Sequence, residues 1–566
     1  MFSRHLTRIF SLLISVALLL GSAPAQTRQS GKATVKEEDL KEWLGYLASD
    51  ELEGRATFSE GLGLAAAYIA QQLKSWGVKP GGDNGSYFQR VKVLGVKSTS
   101  NSTLAVEVNG QTRVFKDGEG IVFPKNVGGK RSFTVEQIEF MGYGLDAPLA
   151  NHNDYAGKEV KGKVVVYLGT NGPKGLNPQF RRALGGRARY ATDQRQALAS
   201  IGPLPTSGGF GGRQGGGGAA AGGRGGIAQP DFATVQRLDN PIPPNVAAQD
   251  ELFEFLFSNA EIKYAELKDK AARQEPLPIF SLKGVKLTFN LDADYQVVGT
   301  QFTRNVIGTI EGSDAKLKDT YVLFSAHYDH VGYAEGEVFN GNRQGAVGRV
   351  KPGNVEDRIW NGADDDGSGT VTVLGIAKAY AIGPKPKRSL MFLWFAGEER
   401  GLWGSRYNAD YPTVPIENIV ADLNMDMVGR NSNDKAEEAN SVFLVGSDRI
   451  STELHNICID ANAALAKPLK LDFEMNDPTD LEQIYYRSDH YSYAAKGIPI
   501  TFFTTGLHGD YHYNSDQVEF INFEKMARIG QLVYEAGRRV ANLDHAPVRD
   551  NKGPRVGKGS SGKIAP

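Results

Sequence analysis

From Asn305 to Ala541 the chain alternates short apolar runs with helix-forming stretches, and this alternation narrows the fold more than any other feature. Strand-like runs fall at Thr320–Ala326, Ser389–Ala396, Asn418–Met425, Ser441–Val445 and Ile498–Thr504. Helical stretches lie between them at roughly 368–382, 401–410, 450–464, 489–496 and 522–543. The pattern predicts an α/β domain whose mostly parallel mixed sheet is sandwiched by helices. In such sheets ligands gather at the carboxyl ends of the strands.

Outside that stretch the signals differ. Arg4, His5 and Arg8 precede an apolar run from Ile9 to Leu20, and Ala23-Pro24-Ala25 follows as a small-x-small cleavage pattern. The run is too short to span a bilayer at roughly 20 residues per crossing, so residues 1–25 read as a signal peptide. The expectation is an exported chain, periplasmic or extracellular, with no membrane anchor after cleavage. Leu62, Ala65, Ala66, Ile69, Leu73 and Trp76 then share one helical face, which Gly77 and Pro80 end. Strand-like runs follow near Leu104–Val108 and Phe133–Phe140, and Val164–Leu168 reads as a buried strand. Residues 207–226 hold 12 glycines in 20 positions, a composition that cannot offset its own ordering entropy. That tract, within 203–230, is expected to be a disordered loop, and its two arginines are too few for an RNA-binding tract. The segment 547–566, rich in Gly, Lys and Ser, reads as a flexible tail.

Two bulk numbers exclude partners and chemistries. A net charge of −1 over 566 residues leaves no electrostatic footprint for nucleic acid or an anionic membrane. Cys458 is the only cysteine, so neither an intrachain disulfide nor a cysteine-based zinc cluster can form. A metal site in this chain must use His, Asp and Glu.

Five segments carry such residues at strand ends or in loops. In "SAHYDHVG", His327 and Asp329 are spaced so that the carboxylate can orient a metal-binding imidazole. Alternation along an extended chain points His330 away from Asp329, so it reads as structural. In "NGADDDGSG", Asp364, Asp365 and Asp366 precede a helix, which suits N-capping as well as a bridge between two metals. In "FLWFAGEERGLWGS", Glu398 and Glu399 leave a buried strand side by side, where one can bind metal while the other takes a proton. Asp426 in "LNMDMVGR" is costly to bury without a partner. Tyr511, His512 and Asp516 in "DYHYNSD" suit either a polar turn or a metal site. Together the segments supply two His, two Asp and a Glu, a donor set suited to zinc, and leave one Glu over.

In their order, these segments resemble the zinc peptidase family of the bacterial leucyl aminopeptidases, glutamate carboxypeptidase and the transferrin receptor. The resemblance runs from "LASDELEGR" at 47–55 to the last helix. "MGYGLDAP" and "DYAGKEVKGKVVVYLG" look like the protease-associated domain that many members carry as an insertion. The resemblance implies a catalytic domain over 33–117 and 290–546, with the inserted domain at 118–289. It implies two zinc ions per chain: one held by His327 and Asp426, the other by Glu399 and His512, with Asp365 bridging. Glu398 matches the general base, Asp329 the partner of the first histidine, and Tyr485, three residues before Ser488, an oxyanion-binding tyrosine. Asp489 and His490 look structural.

That reading makes the chain an aminopeptidase acting on peptides, through water shared by two zincs roughly 3.5–4 Å apart. A carboxypeptidase or another amidohydrolase on the same metals needs an arginine clamp, for which Arg487 is the candidate. A single-zinc glutaminyl cyclase conflicts with two complete half-sites. A receptor-like binding protein on the same fold has no need of an intact Glu398. The surplus acids Asp364, Asp366 and Asp489 are expected to attract a substrate ammonium.

Overall fold

The computed structural model describes residues 34–147, 150–176, 181–204, 229–335, 348–477, 480 and 482–553. The expected signal peptide, most of the Gly-rich tract and the tail beyond 553 lie outside these residues. Among the described residues no helix is long and apolar enough to cross a membrane.

The large sheet has ten strands, of which seven position the site. In chain order they are β1 (Phe88–Ser100), β2 (Ala293–Ile310), β3 (Tyr321–His327), β4 (Ser389–Phe395), β5 (Ile419–Met425), β6 (Ser441–Val445) and β7 (Ile500–Thr504). They pair in the order β1-β2-β4-β3-β5-β7-β6. Only β4, β3, β5 and β7 form a continuous parallel block; β1, β2 and β6 join it antiparallel. The sheet is therefore mixed: the parallel block holds the strands that end near candidate site residues, and one further parallel pair joins β6 to Lys470–Asp472 at the edge.

Alternation along these strands feeds two cores, as a strand's period of two requires. Val322, Phe324, Leu390, Phe392 and Leu423 pack on one face with helices α1 (Glu37–Leu47), α2 (Glu60–Ser75), α3 (Gly369–Ile382) and α7 (Phe523–Asn542). Leu323, Met391, Leu393 and Phe502 pack on the other with Tyr493, which lies on α6 (His490–Ala494). Helix α4 (Trp403–Asp410) follows β4, and α5 (Thr452–Ala463) follows β6. The predicted face of α2 is the one buried, and Ser59 caps its start by accepting from the Leu62 amide at 3.1 Å. Asn522 does the same for α7 through Lys525, at 3.0 Å.

A second core lies between residues 104 and 293. It joins a six-stranded sheet to a four-stranded one in which Thr103–Val108 and Gln111–Lys116 pair beside Val285–Leu291 and Arg131–Val135. These sheets do not follow the expected boundaries at 117/118 and 289/290, because the first two strands pack with the second core. Phe232–Thr234 crosses back to pair with β1 of the large sheet.

Candidate active site

Four parallel strands end at one edge, and the loops that leave them converge. β3 ends on His327, whose buried ring directs Nε2 to within 3.3 Å of Asp365 Oδ1 and 3.7 Å of Asp426 Oδ2. Asp426 follows the last residue of β5. The loop after β7 brings His512 Nε2 to 3.0 Å from Asp365 Oδ2 and 3.1 Å from Glu399 Oε2. Asp365 thus offers one oxygen to each histidine.

The three consecutive aspartates divide their work. Asp366 accepts from the amides of Gly369, Met427 and His327 at 2.9, 3.1 and 3.2 Å, and so ties α3 to β5 and β3. Asp364 accepts from the Gly429 amide at 2.6 Å and stands 3.3 Å from His508 Nε2. Of the three, only Asp365 faces His327 and His512, since backbone amides and His508 hold its neighbours. Asp364, Asp366 and Asp489 are fully buried and do not line the cleft, contrary to their expected role in attracting an ammonium.

Glu398 and Glu399 also part company. Glu399 sits between two imidazoles, with Oε1 2.9 Å from His330 Nδ1 and Oε2 3.1 Å from His512. Glu398 turns into the cleft, with Oε2 4.0 Å from His327 Nε2. Their acidities diverge accordingly. Burial, helped by Glu399, Asp426 and Asp489 and opposed by His327, holds Glu398 well above the usual carboxylate range. Burial acts on Glu399 in the same direction, but His512 and His330 outweigh it and bring the group down to about 2.

Three further sequence expectations need correction. The His327 Nδ1 partner is the backbone carbonyl of Asp329 at 3.1 Å, with the carboxylate 3.7 Å away. That carboxylate accepts instead from the Glu398 amide at 3.1 Å and the Thr57 hydroxyl at 3.0 Å. Tyr485 lies off the cleft, its ring 3.8 Å below the Arg449 guanidinium, because the turn Ile484–Tyr486 presents Ile484 and Arg487 to the cleft instead. The tyrosine that does line the cleft is Tyr511, stacked 4.0 Å over His512 and accepting from Arg487 at 3.1 Å. The sequence places Tyr511 in the His512 segment, but nothing in the spacing there assigns it rather than Tyr485 to the oxyanion. His330, read as structural, joins Asp365 and Glu399 in a group of close donor atoms. Strand alternation did not apply to it, because the strand stops at His327 and the His330 amide donates to the Arg55 carbonyl at 3.1 Å.

Two donor groups able to hold a cation share Asp365: His327, Asp365 and Asp426, and His330, Asp365 and Glu399. Several of their buried atoms meet only one another or His512, among them Nε2 of His327, Oδ2 of Asp365, Oε1 of Glu399 and Nδ1 of His330, and Nε2 of His330 has no hydrogen-bond partner among the described residues. Unpartnered buried polar atoms are costly, and these converge with imidazole and carboxylate chemistry suited to zinc. The donor set fits. The adjoining cleft, ≈ 410 Å³ and open to solvent, has Asp365, Glu398 and Asp426 at one end and Met475, Ile484, Phe502 and Leu507 along its wall.

Residues 305–537 match the model of Peptidase family M28. The M28 segment contains every residue of the two donor groups, Glu398 and Tyr511. A probable leucine aminopeptidase of Arthroderma benhamiae is 28% identical over 238 residues, covering 40% of this chain and 61% of the relative. A probable zinc metalloprotease of Pyrenophora teres f. teres is 33% identical over 152 residues, or 27% of this chain and 25% of that one. The chain spans 55–61% of the length of the first curated leucine aminopeptidases it matches. Among solved structures, an aminopeptidase from Aneurinibacillus sp. strain AM-1 aligns with a TM-score of 0.44 at 18% identity, over 93% of this chain and 98% of that one.

Proposed function

We propose that the chain is a zinc-dependent aminopeptidase that releases residues from the free N-terminus of peptides. The observation that carries this reading is the sharing of Asp365 between two donor groups, while Glu398 stands apart from both and faces the cleft. His327, Asp426 and Asp365 would hold one zinc; Glu399, His512 and Asp365, with His330 alongside, would hold a second. Bound there, the cations supply positive charge that polarises the scissile carbonyl and acidifies water. Glu398 takes a proton from the attacking water on its carboxylate and returns it to the leaving amine. Arg487 donates to the Tyr511 oxygen, which leaves the Tyr511 O–H free to donate to the developing oxyanion.

Preference for a free N-terminus draws on the other charges of the cleft. Arg487 is committed to Glu482 at 2.8 Å and to Tyr511, so it is poorly placed to clamp a terminal carboxylate. Asp426 and Glu398 supply negative charge for an ammonium, and the wall of Met475, Ile484, Phe502 and Leu507 suits an apolar side chain. The same reading takes the basic, apolar and small-residue pattern of residues 4–25 as an export signal.

The test compares an aminoacyl chromogenic amide, its N-acetylated form and a C-terminally amidated peptide, using zinc-loaded protein. Cleavage of the first and third but not the second supports the proposal. Cleavage restricted to substrates with a free C-terminal carboxylate replaces it with the carboxypeptidase reading.

A further inference from the structure

The segment Asp50–Phe58 lies outside the M28 segment, yet it is wedged beneath the site. Its keystone is Arg55, 1% exposed, which forms no ion pair among the described residues. Nε donates to the Tyr328 carbonyl at 3.0 Å, between His327 and Asp329. One terminal nitrogen donates to the carbonyls of Asn361, at 2.7 Å, and Leu47; the other donates to Gly362 at 2.9 Å. A single planar cation thus joins the loop after β3 to the loop that delivers Asp365, and both to the end of α1. The Arg55 carbonyl in turn accepts from the His330 amide, and Thr57 donates to Asp329.

The segment is also shaped for close approach. Gly54 has φ +66°, and a Cβ there would come within 2.4 Å of the Gly332 oxygen and 2.5 Å of the Trp360 oxygen. Glu53, Arg55 and Phe58 also have positive φ, an arrangement that costs energy and persists only where its surroundings fix it. Asp329, Asp365, Asp366 and Asp516 all place negative charge around the guanidinium. Lysine carries the charge but cannot reach three loops with a planar fork.

We propose that Arg55, with Thr57, is a positioning residue for the metal-holding site: it sets the spacing between His327 and Asp365, and through Thr57 and Asp329 it places Glu398. The inference rests on the zinc-binding reading above. Partners that orient metal ligands without touching the metal typically contribute about 10–100-fold in metal affinity.

The test uses the full chain and the variants Arg55→Lys, Arg55→Met and Thr57→Val. Arg388→Met serves as a control: Arg388 is a buried arginine that donates to Thr320 at 2.8 Å, on a residue that precedes the first residue of β3, at the end opposite His327. Zinc affinity is measured by chelator competition, and melting temperature with and without zinc. We expect the Arg55 variants to bind zinc about 10–100-fold more weakly, and to lose most of the zinc-induced rise in melting temperature. Thr57→Val should lower kcat with KM little changed. Arg388→Met should lower the zinc-free melting temperature while keeping the full zinc-induced rise. Arg55 variants that behave like Arg388→Met would overturn the proposal, as would Thr57→Val with parental kcat if the Arg55 variants fail to fold. Failure of the parent itself to bind zinc would overturn the metal reading instead.

Discussion

The Asp329 carboxylate accepts the backbone amide of Glu398 at 3.1 Å, so the residue after next to a candidate metal ligand holds the main chain of the candidate base. Its second oxygen is occupied by Thr57 at 3.0 Å. Asp329→Ala frees the loop after β4 at the point where Glu398 and Glu399 diverge. We predict that kcat falls about 10–100-fold while zinc content stays near the parental value, since the His327 ring is held by the Asp329 backbone carbonyl. Steady-state kinetics alongside elemental analysis decide this; loss of zinc with unchanged kcat per bound metal would contradict it.

Glu398→Gln and Glu399→Gln should separate cleanly. Glu398 faces the cleft and belongs to neither donor group, so its amide form keeps the shape and loses the proton acceptor. A general base contributes about 10²–10⁴-fold, and a loss of that order in kcat with normal zinc is expected. Glu399 lies between His330 and His512, so its amide form should weaken zinc binding first. Opposite behaviour of the two variants would reverse the assignment.

His330→Ala tests the residue that strand alternation set aside. Its buried Nε2 lacks a hydrogen-bond partner among the described residues, and Nδ1 lies 2.9 Å from Glu399 Oε1. We expect weaker binding of one zinc of two, read as a split titration in chelator competition, with His327→Ala weakening the other. Unchanged titration of both zincs would return His330 to a packing role.

What could be read from the sequence follows the range of the interactions. The strands and their carboxyl-end residues were legible, because backbone periodicity is local and loops after parallel strands converge on one edge. The bridging position was legible only in part: capping and bridging aspartates look alike until Gly429, Gly369 and Met427 amides claim Asp364 and Asp366. Tyr485 and Tyr511 could not be told apart by spacing, because a short turn decides which side chain meets the cleft. Arg55 was opaque for a different reason. Three of its four carbonyl partners lie 273, 306 and 307 residues away, where no local pattern reaches.

Asp422 gives a prediction about pH and stability that is independent of catalysis. It is fully buried in β5, with one oxygen accepting from the Ser325 hydroxyl at 2.7 Å and the other without a partner. Burial pushes its carboxyl up to about 8, with Asp489 adding to the shift and the Ser325 bond opposing it. An unfolded aspartate ionises near pH ~4. Between these values the folded chain holds a proton that the unfolded chain has released, so stability falls as pH rises from about 4 to about 8 and is level above that. Asp422→Asn keeps an acceptor for Ser325 and removes the charge. The metal-free variant should therefore melt several degrees above the parent at pH 8, with the gap closing toward pH 4. Thermal unfolding across that range checks it, and a variant that melts lower at pH 8 would show that the ionised carboxylate is stabilised by its surroundings.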